Sequence, residues 1–173
     1  MAVRYTGCMD AKQYNQMSQP LRERPELLRA LTLANKGLTA LGYVVYPLLL
    51  VILFAMQDPF LMRCFVVPLV GFVTLSLARA AINAPRPYEA LDIQPLIKKD
   101  TRGKSFPSRH AFSMFMIAFC WLQWCVPVGV LLLIAGVEMS IVRVMGGVHF
   151  PRDVAAGFLF ALACAAVGFW LIP

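Results

Sequence analysis

The chain has 173 residues, of which 60% are hydrophobic and 14% charged, where a soluble domain is about 45–50% apolar and about 25% charged. That excludes an ordinary soluble globule, and a mean hydropathy of +0.68 excludes a disordered chain. The net charge of +7 does not signal nucleic acid, because so apolar a chain has little water-exposed face on which to gather Lys and Arg; anionic lipid is the expected partner.

Length predicts one domain over residues 1–173, with a tail and interfacial helix over 1–37 and a membrane core over 38–173. The first twenty residues are polar, so no cleavable signal with an apolar centre is expected. Pro25 stands where a helix can begin, and Leu27, Leu28, Leu31, Ala34 and Leu38 follow at helical spacing, with Glu26, Arg29 and Lys36 off the stripe. This reads either as an amphipathic helix on the membrane surface or as a helix packed against the bundle's rim. A crossing needs about 20 mostly apolar residues, because backbone groups in lipid must be satisfied within the segment. Five stretches approach that: residues 38–56; 60–81, with Arg63 placed to snorkel; 110–126; 128–145, after Pro127; and 154–172. Within the last, Gly157, Ala161 and Ala165 recur every four residues and offer a neighbouring helix a strip without bulky side chains. The expected fold is an all-α polytopic membrane bundle of about five transmembrane helices plus an N-terminal amphipathic helix.

Five crossings put the N-terminal segment, the loop at residues 82–109 and the turn at 145–153 on one side. With the adjoining span ends, which carry Arg79 and Arg143, fifteen of the sixteen Lys and Arg residues fall there, and Arg63 alone on the other. The positive-inside rule therefore predicts a multi-pass cell-membrane protein whose charged face, and any site on it, is cytoplasmic. The five cysteines, Cys8, Cys64, Cys120, Cys125 and Cys164, show no Cys-x-x-Cys spacing and mostly fall in apolar runs; they read as reduced structural thiols.

The only two histidines, His110 and His149, lie at the ends of expected spans on that same charged face. His149 and Asp153 are four apart around Pro151, so a carboxylate can take one ring N–H and leave the other nitrogen free, as a nucleophile or base requires. Arg79, Arg86 and Arg143 come at the ends of different spans. Their planar, permanently charged forks match phosphate oxygens. Ser108 follows Pro107 at the start of a helix, where free N–H groups favour an anion. The sum is a phosphate site at the membrane surface; the competing reading is arginines that snorkel to headgroups and histidines that merely pack.

The run Arg79 to Pro87 (RAAINAPRP), the tetrapeptide Pro107 to His110 (PSRH) and Arg143 to Asp153 (RVMGGVHFPRD) resemble, in order and spacing, the three signatures of the type 2 phosphatidic acid phosphatase (PAP2) superfamily: Lys-x6-Arg-Pro, Pro-Ser-Gly-His and Ser-Arg-x5-His-x3-Asp. The resemblance implies a metal-independent phosphoester or diphosphate hydrolase without a cofactor, working through a phosphohistidine. His149 would attack phosphorus, Asp153 would orient it, and His110 would protonate the leaving oxygen and then activate water. Arg79, Arg86, Ser108 and Arg143 would hold the phosphoryl oxygens. Opposite protonation states in the two histidines predict a bell-shaped pH profile.

Three positions depart from the pattern. Arg79 stands for the usual Lys, Val142 for the usual Ser, and Arg109 for the Gly of Pro-Ser-Gly-His; Arg109 either contacts a second phosphate or points to headgroups. Members commonly have six spans, against five here. Glu138, inside the fourth span, is expected to pair with Arg79 or Arg143. Lys98, Lys99, Arg102 and Lys104 either draw in an anionic headgroup or form a solvated basic loop. The short chain and the extra cations favour a polyprenyl diphosphate such as undecaprenyl diphosphate. Phosphatidate or phosphatidylglycerol phosphate is the alternative within the enzyme class. A non-catalytic phospholipid-binding protein and a bis-histidine haem protein are the rivals outside it, and the haem reading leaves the arginines and Asp153 unexplained.

Overall fold

The computed structural model describes residues 9–171; Arg4 and Cys8 lie outside them. Asp10 opens helix α1 (Ala11–Glu23): its carboxylate accepts from Gln13 N at 2.7 Å and its N–H donates to Gln13 Oε1 at 2.9 Å, a reciprocal cap that satisfies two end donors. After an extended Arg24, Pro25 starts α2 (Pro25–Ala55). The surface helix and the first span expected separately are thus one helix of 31 residues. The apolar stripe from Leu27 to Leu38 runs in phase into the span, and an interior glycine such as Gly37 costs only about 1 kcal/mol. The separate amphipathic helix at the N-terminus is α1, one segment earlier than expected.

Helix α3 (Phe60–Ile82) ends at Asn83, which adopts the left-handed conformation at φ 43° that Asn tolerates. One turn, α4 (Pro87–Ala90), and a long loop lead to α5 (Arg109–Trp124). Then come α6 (Val126–Met145) and α7 (Pro151–Ala165), which continues as a π-helical segment, Ala166–Leu171. No strand occurs among the described residues.

Among the described residues, four helical stretches are long and apolar enough to cross a membrane: Pro25–Ala55, Phe60–Ala90, Val126–Met145 and Pro151–Leu171. The outward side chains of α2 and α3, among them Val44, Val51, Phe54, Leu69 and Leu77, are exposed and form an apolar belt. The stretch expected as the third span differs. Helix α5 has 16 residues, about 24 Å at 1.5 Å each, and packs against α2, α3, α6 and α7. Nearly every side chain from Ala111 to Trp121 is buried. A helix apolar all round is a core helix, and α5 is the axle of the bundle while still carrying the chain from one face to the other.

The small-residue strip is the seam between α7 and α5. Gly157, Ala161 and Ala165 are all buried, and a Cβ at Gly157 would lie 2.6 Å from Ser108 O and 3.2 Å from Phe112 N. This close crossing sets the start of α5 directly beside the first turns of α7. Cys64, Cys120, Cys125 and Cys164 are free thiols, the first two buried.

Candidate active site

Three parts of the chain meet at one end of the bundle: the end of α3 with α4, the loop from Ile97 to Ser108, and the turn from Arg143 to Asp153. Backbone bonds fasten them, from Ile97 N to Gly146 O (3.1 Å), Ser105 N to Ala84 O (2.9 Å) and Ser108 N to Asp153 O (2.8 Å). Helix α1 covers the turn from outside. Tyr14, fully buried, donates to Met145 O at 3.4 Å and lays its ring against Gly147, whose φ of +72° and lack of a Cβ the contact requires.

Asp153 is fully buried in the first turn of α7. Its Oδ2 accepts from Phe150 N at 3.0 Å, which caps the helix, and lies 3.4 Å from His149 Nδ1, as the four-residue spacing predicts. His149 is buried beside it, so its Nε2 is the nitrogen left for other chemistry. Burial holds the His149 ring below the ordinary imidazole pKa and the Arg143 charge adds to this, while the Asp153 bond opposes both. The shift favours the neutral form of the ring. Sequence reasoning missed Ser105, also fully buried: its hydroxyl donates to Asp153 Oδ2 at 2.5 Å and lies 3.4 Å from His149 Nδ1. Its separation of 48 residues from Asp153 leaves no local pattern to find.

The three expected arginines are buried at this end, in unequal roles. Arg79 Nη1 donates to Ser105 O (3.1 Å) and to Pro107 O, and Nη2 to Lys104 O. Arg86 donates from Nε to Gly103 O (3.2 Å) and from Nη1 to Val148 O (3.1 Å). Both hold the loop. An ammonium in place of Arg79 would be a point charge without a planar fork, so the replacement of the usual Lys turns this position into a staple. Arg143 is held by one bond, Nη1 to Asn35 Oδ1 at 2.9 Å, while its Nε and Nη2 are buried without a partner. Glu89 accepts from Arg86 N (2.9 Å) and Gly103 N (2.8 Å), so it braces the same loop.

Ser108 is the buried N-cap of α5; its Oγ accepts from Ala111 N at 3.5 Å, and its own N–H is already taken by Asp153 O. Arg109 is exposed, with its guanidinium 5.9 Å from the Phe72 ring centroid. Lys99 is half-buried among four guanidiniums: burial first, then Arg143, Arg86, Arg79 and Arg109, lower its pKa to about 7. Glu138 does not make the expected ion pair. Its side chain faces outward on α6, beside Ala34, Gly37 and Leu38, and Arg143 uses Asn35 instead. Among the described residues, no cluster of three His, Cys, Asp or Glu side chains is placed to hold a metal.

His110 lines a cavity of about 510 Å³. From Arg109 and His110 at its mouth it descends between α2, α3 and α5, past Thr39, Gly42, Phe72 and Met114, to Tyr46, Phe65 and Ile117.

An apolar helical bundle with several stretches long enough to cross a membrane, gathering buried histidine, carboxylate and arginines at one rim, is a multi-pass membrane protein. Residues 59–173 match the sequence model of the PAP2 superfamily, more than half of the chain, and the protein belongs to that family. Over 89 residues, 51% of this chain and 43% of the relative's length, it is 35% identical to the bacitracin transport permease protein BcrC of Bacillus licheniformis; the match thus spans less than half of that protein. The crystal structure of Aquifex aeolicus LpxE superposes with a TM-score of 0.75 at 23% identity, covering 96% of this chain and 98% of that one. That of the first transmembrane PAP2 type phosphatidylglycerolphosphate phosphatase from Bacillus subtilis gives 0.62 at 24% identity, covering 91% and 83%. Both likenesses speak for the fold.

Proposed function

We propose that this protein is a metal-independent lipid phosphatase that hydrolyses a polyprenyl diphosphate through a phosphohistidine. The observation that carries the reading is the pairing of a buried, neutral-leaning His149 on Asp153 with Arg143, whose Nε and Nη2 donors are buried and otherwise unused. Buried unpaired donors are costly, and a phosphoryl oxygen satisfies both at once. His149 Nε2 forms the bond to the terminal phosphorus as the bond from that phosphorus to the bridging oxygen breaks, and the polyprenyl monophosphate leaves. His110 protonates that oxygen, then takes a proton from the water that cleaves the phosphohistidine and releases inorganic phosphate. The protein supplies positioning and charge, which phosphoryl transfer chiefly needs.

Arg109 adds a cation beyond the family's signatures, and Lys99, with its pKa lowered to about 7, gains its proton when an anion binds beside it; both favour a diphosphate over a monophosphate. The cavity beneath His110 gives the substrate's apolar chain a place next to the reacting phosphate. By the charge asymmetry the site faces the cytoplasm; reporter fusions at both termini check this, and a C-terminus reporting the cytoplasm would reverse it.

The test is phosphate release in detergent with EDTA from undecaprenyl diphosphate, farnesyl diphosphate, phosphatidate and phosphatidylglycerol phosphate. The natural chain should release phosphate from the diphosphates first, and His149→Ala should lose at least a thousandfold. Release abolished by EDTA, or undiminished in the variant, would contradict the proposal.

A further inference from the structure

Pro47 lies inside α2 and Pro68 inside α3, and both line the cavity below His110. An interior proline has no N–H for the carbonyl four residues earlier. For Pro68 that carbonyl belongs to Cys64, and within a bilayer an unpaired carbonyl is expensive. The Tyr46 hydroxyl, reaching across from α2, donates to Cys64 O at 3.0 Å. One bond therefore satisfies the carbonyl, ties α2 to α3 and fixes the tyrosine ring at the foot of the cavity. Below it the bundle is solid: Leu49, Leu53, Cys64 and Cys120 are fully buried, and Trp121 Nε1 donates to Val45 O at 3.1 Å.

The open depth follows from α5. His110 and Ile117 both line the cavity, and the helix rises about 10 Å between them at 1.5 Å per residue. An extended chain reaches roughly 1.2 Å per backbone bond, by comparison with a polypeptide's three bonds per residue. A helical side chain leans toward the start of its helix, so the bridging oxygen that the His110 ring protonates stands above the His110 backbone, the inner phosphate spans that difference, and about eight chain bonds fit below it, which is two isoprene units. Tyr43, Phe65 and Leu69 line the same cavity and are exposed on the belt, so a longer chain leaves sideways into lipid there.

We propose that Tyr46, locked to the carbonyl that Pro68 leaves free, is the end stop that sets how much of the substrate's chain is read: two isoprene units in the groove and the remainder in the bilayer. The proposal rests on the phosphatase reading above. It predicts a broken dependence of rate on chain length. With prenyl diphosphates of one, two, three and four isoprene units, kcat/KM should rise at least about tenfold from one unit to two, since each buried methylene contributes, and less than about twofold from two to four.

Tyr46→Ala should move the break to three units, while Tyr46→Phe, which keeps the ring, should leave it at two. Gly42→Leu provides a second variant: a Cβ there already meets Met114 Sδ at 3.1 Å and Ile117 Cδ1 at 3.5 Å, so the larger side chain fills the groove above the stop and should remove the gain from the second unit. A natural chain whose rate is flat or climbs steadily through four units overturns the proposal. So does an unmoved break in a folded Tyr46→Ala, or a gain that survives Gly42→Leu. If no length is hydrolysed, the phosphatase reading fails by itself, and the same step is then sought in binding of the series to His149→Ala, where its absence overturns the end stop.

Discussion

His149 and Ser105 meet on one carboxylate oxygen. Burial lowers the pKa of His149 in the folded protein, so the ring releases its proton at a lower pH than a free imidazole would. Activity that needs the neutral ring therefore rises with pH through that lowered value, and the acid limb of kcat/KM lies below the ordinary imidazole value near 6.5. The stability linked to the same group has the same sign: it is fully present above the unfolded pKa and is lost as pH falls through the folded one. Ser105 enters here as a positioning residue. In Ser105→Ala, Asp153 Oδ2 loses a donor and its charge bears more strongly on His149, which raises the imidazole pKa. The acid limb should then move to higher pH while kcat falls roughly tenfold to a hundredfold, as expected for loss of a charged hydrogen bond. A pH–rate series on both proteins checks this; equal loss at every pH would reduce Ser105 to packing. Such residues are hard to read from sequence because their partners are remote. The His149 to Asp153 pair is visible as a four-residue spacing, whereas Asn35 meets Arg143 across 108 positions.

At the scale of elements, the crossing of α5 and α7 holds the site together, because Ser108 N to Asp153 O joins the two helix starts just where Gly157 lets the backbones approach. In Gly157→Val the added atoms meet Ser108 O and Phe112 N, which are backbone and cannot swing away. The variant should lose about 1–3 kcal/mol of stability, the usual cost of overpacking, and more activity than stability, since the carbonyl that is pushed belongs to the cap of α5. Gly37→Ala is the control, because a Cβ there meets nothing within 4 Å. Thermal unfolding and phosphate release on both variants test the point, and equal behaviour would remove α7 from any part in shaping the site. The strip was legible because every-fourth small residues have few other uses in a membrane helix. The separate helix α1 was less so: its buried side is only Tyr14, Ser18 and Leu21, though the pair Asp10 and Gln13 marks its start. Helix α5 was legible as apolar, but composition alone does not distinguish a lipid-facing helix from one enclosed by its neighbours.

For the whole molecule, apolar composition and the spacing of three motifs carried the fold class and the family, and both stand. The division of labour inside the motifs came from the packing: Arg79 and Arg86 hold a loop, and Arg143 keeps donors free. The central claim is that phosphate passes through His149. The most direct measurement is rapid quench of the purified protein with diphosphate substrate in EDTA, under alkaline conditions that preserve phosphohistidine, followed by mapping of the modified peptide. A phosphate on His149 that forms and decays at rates compatible with turnover, and fails to form in His149→Ala, is the predicted result. Full turnover with no covalent phosphate at His149, or phosphate trapped on another residue, would contradict it.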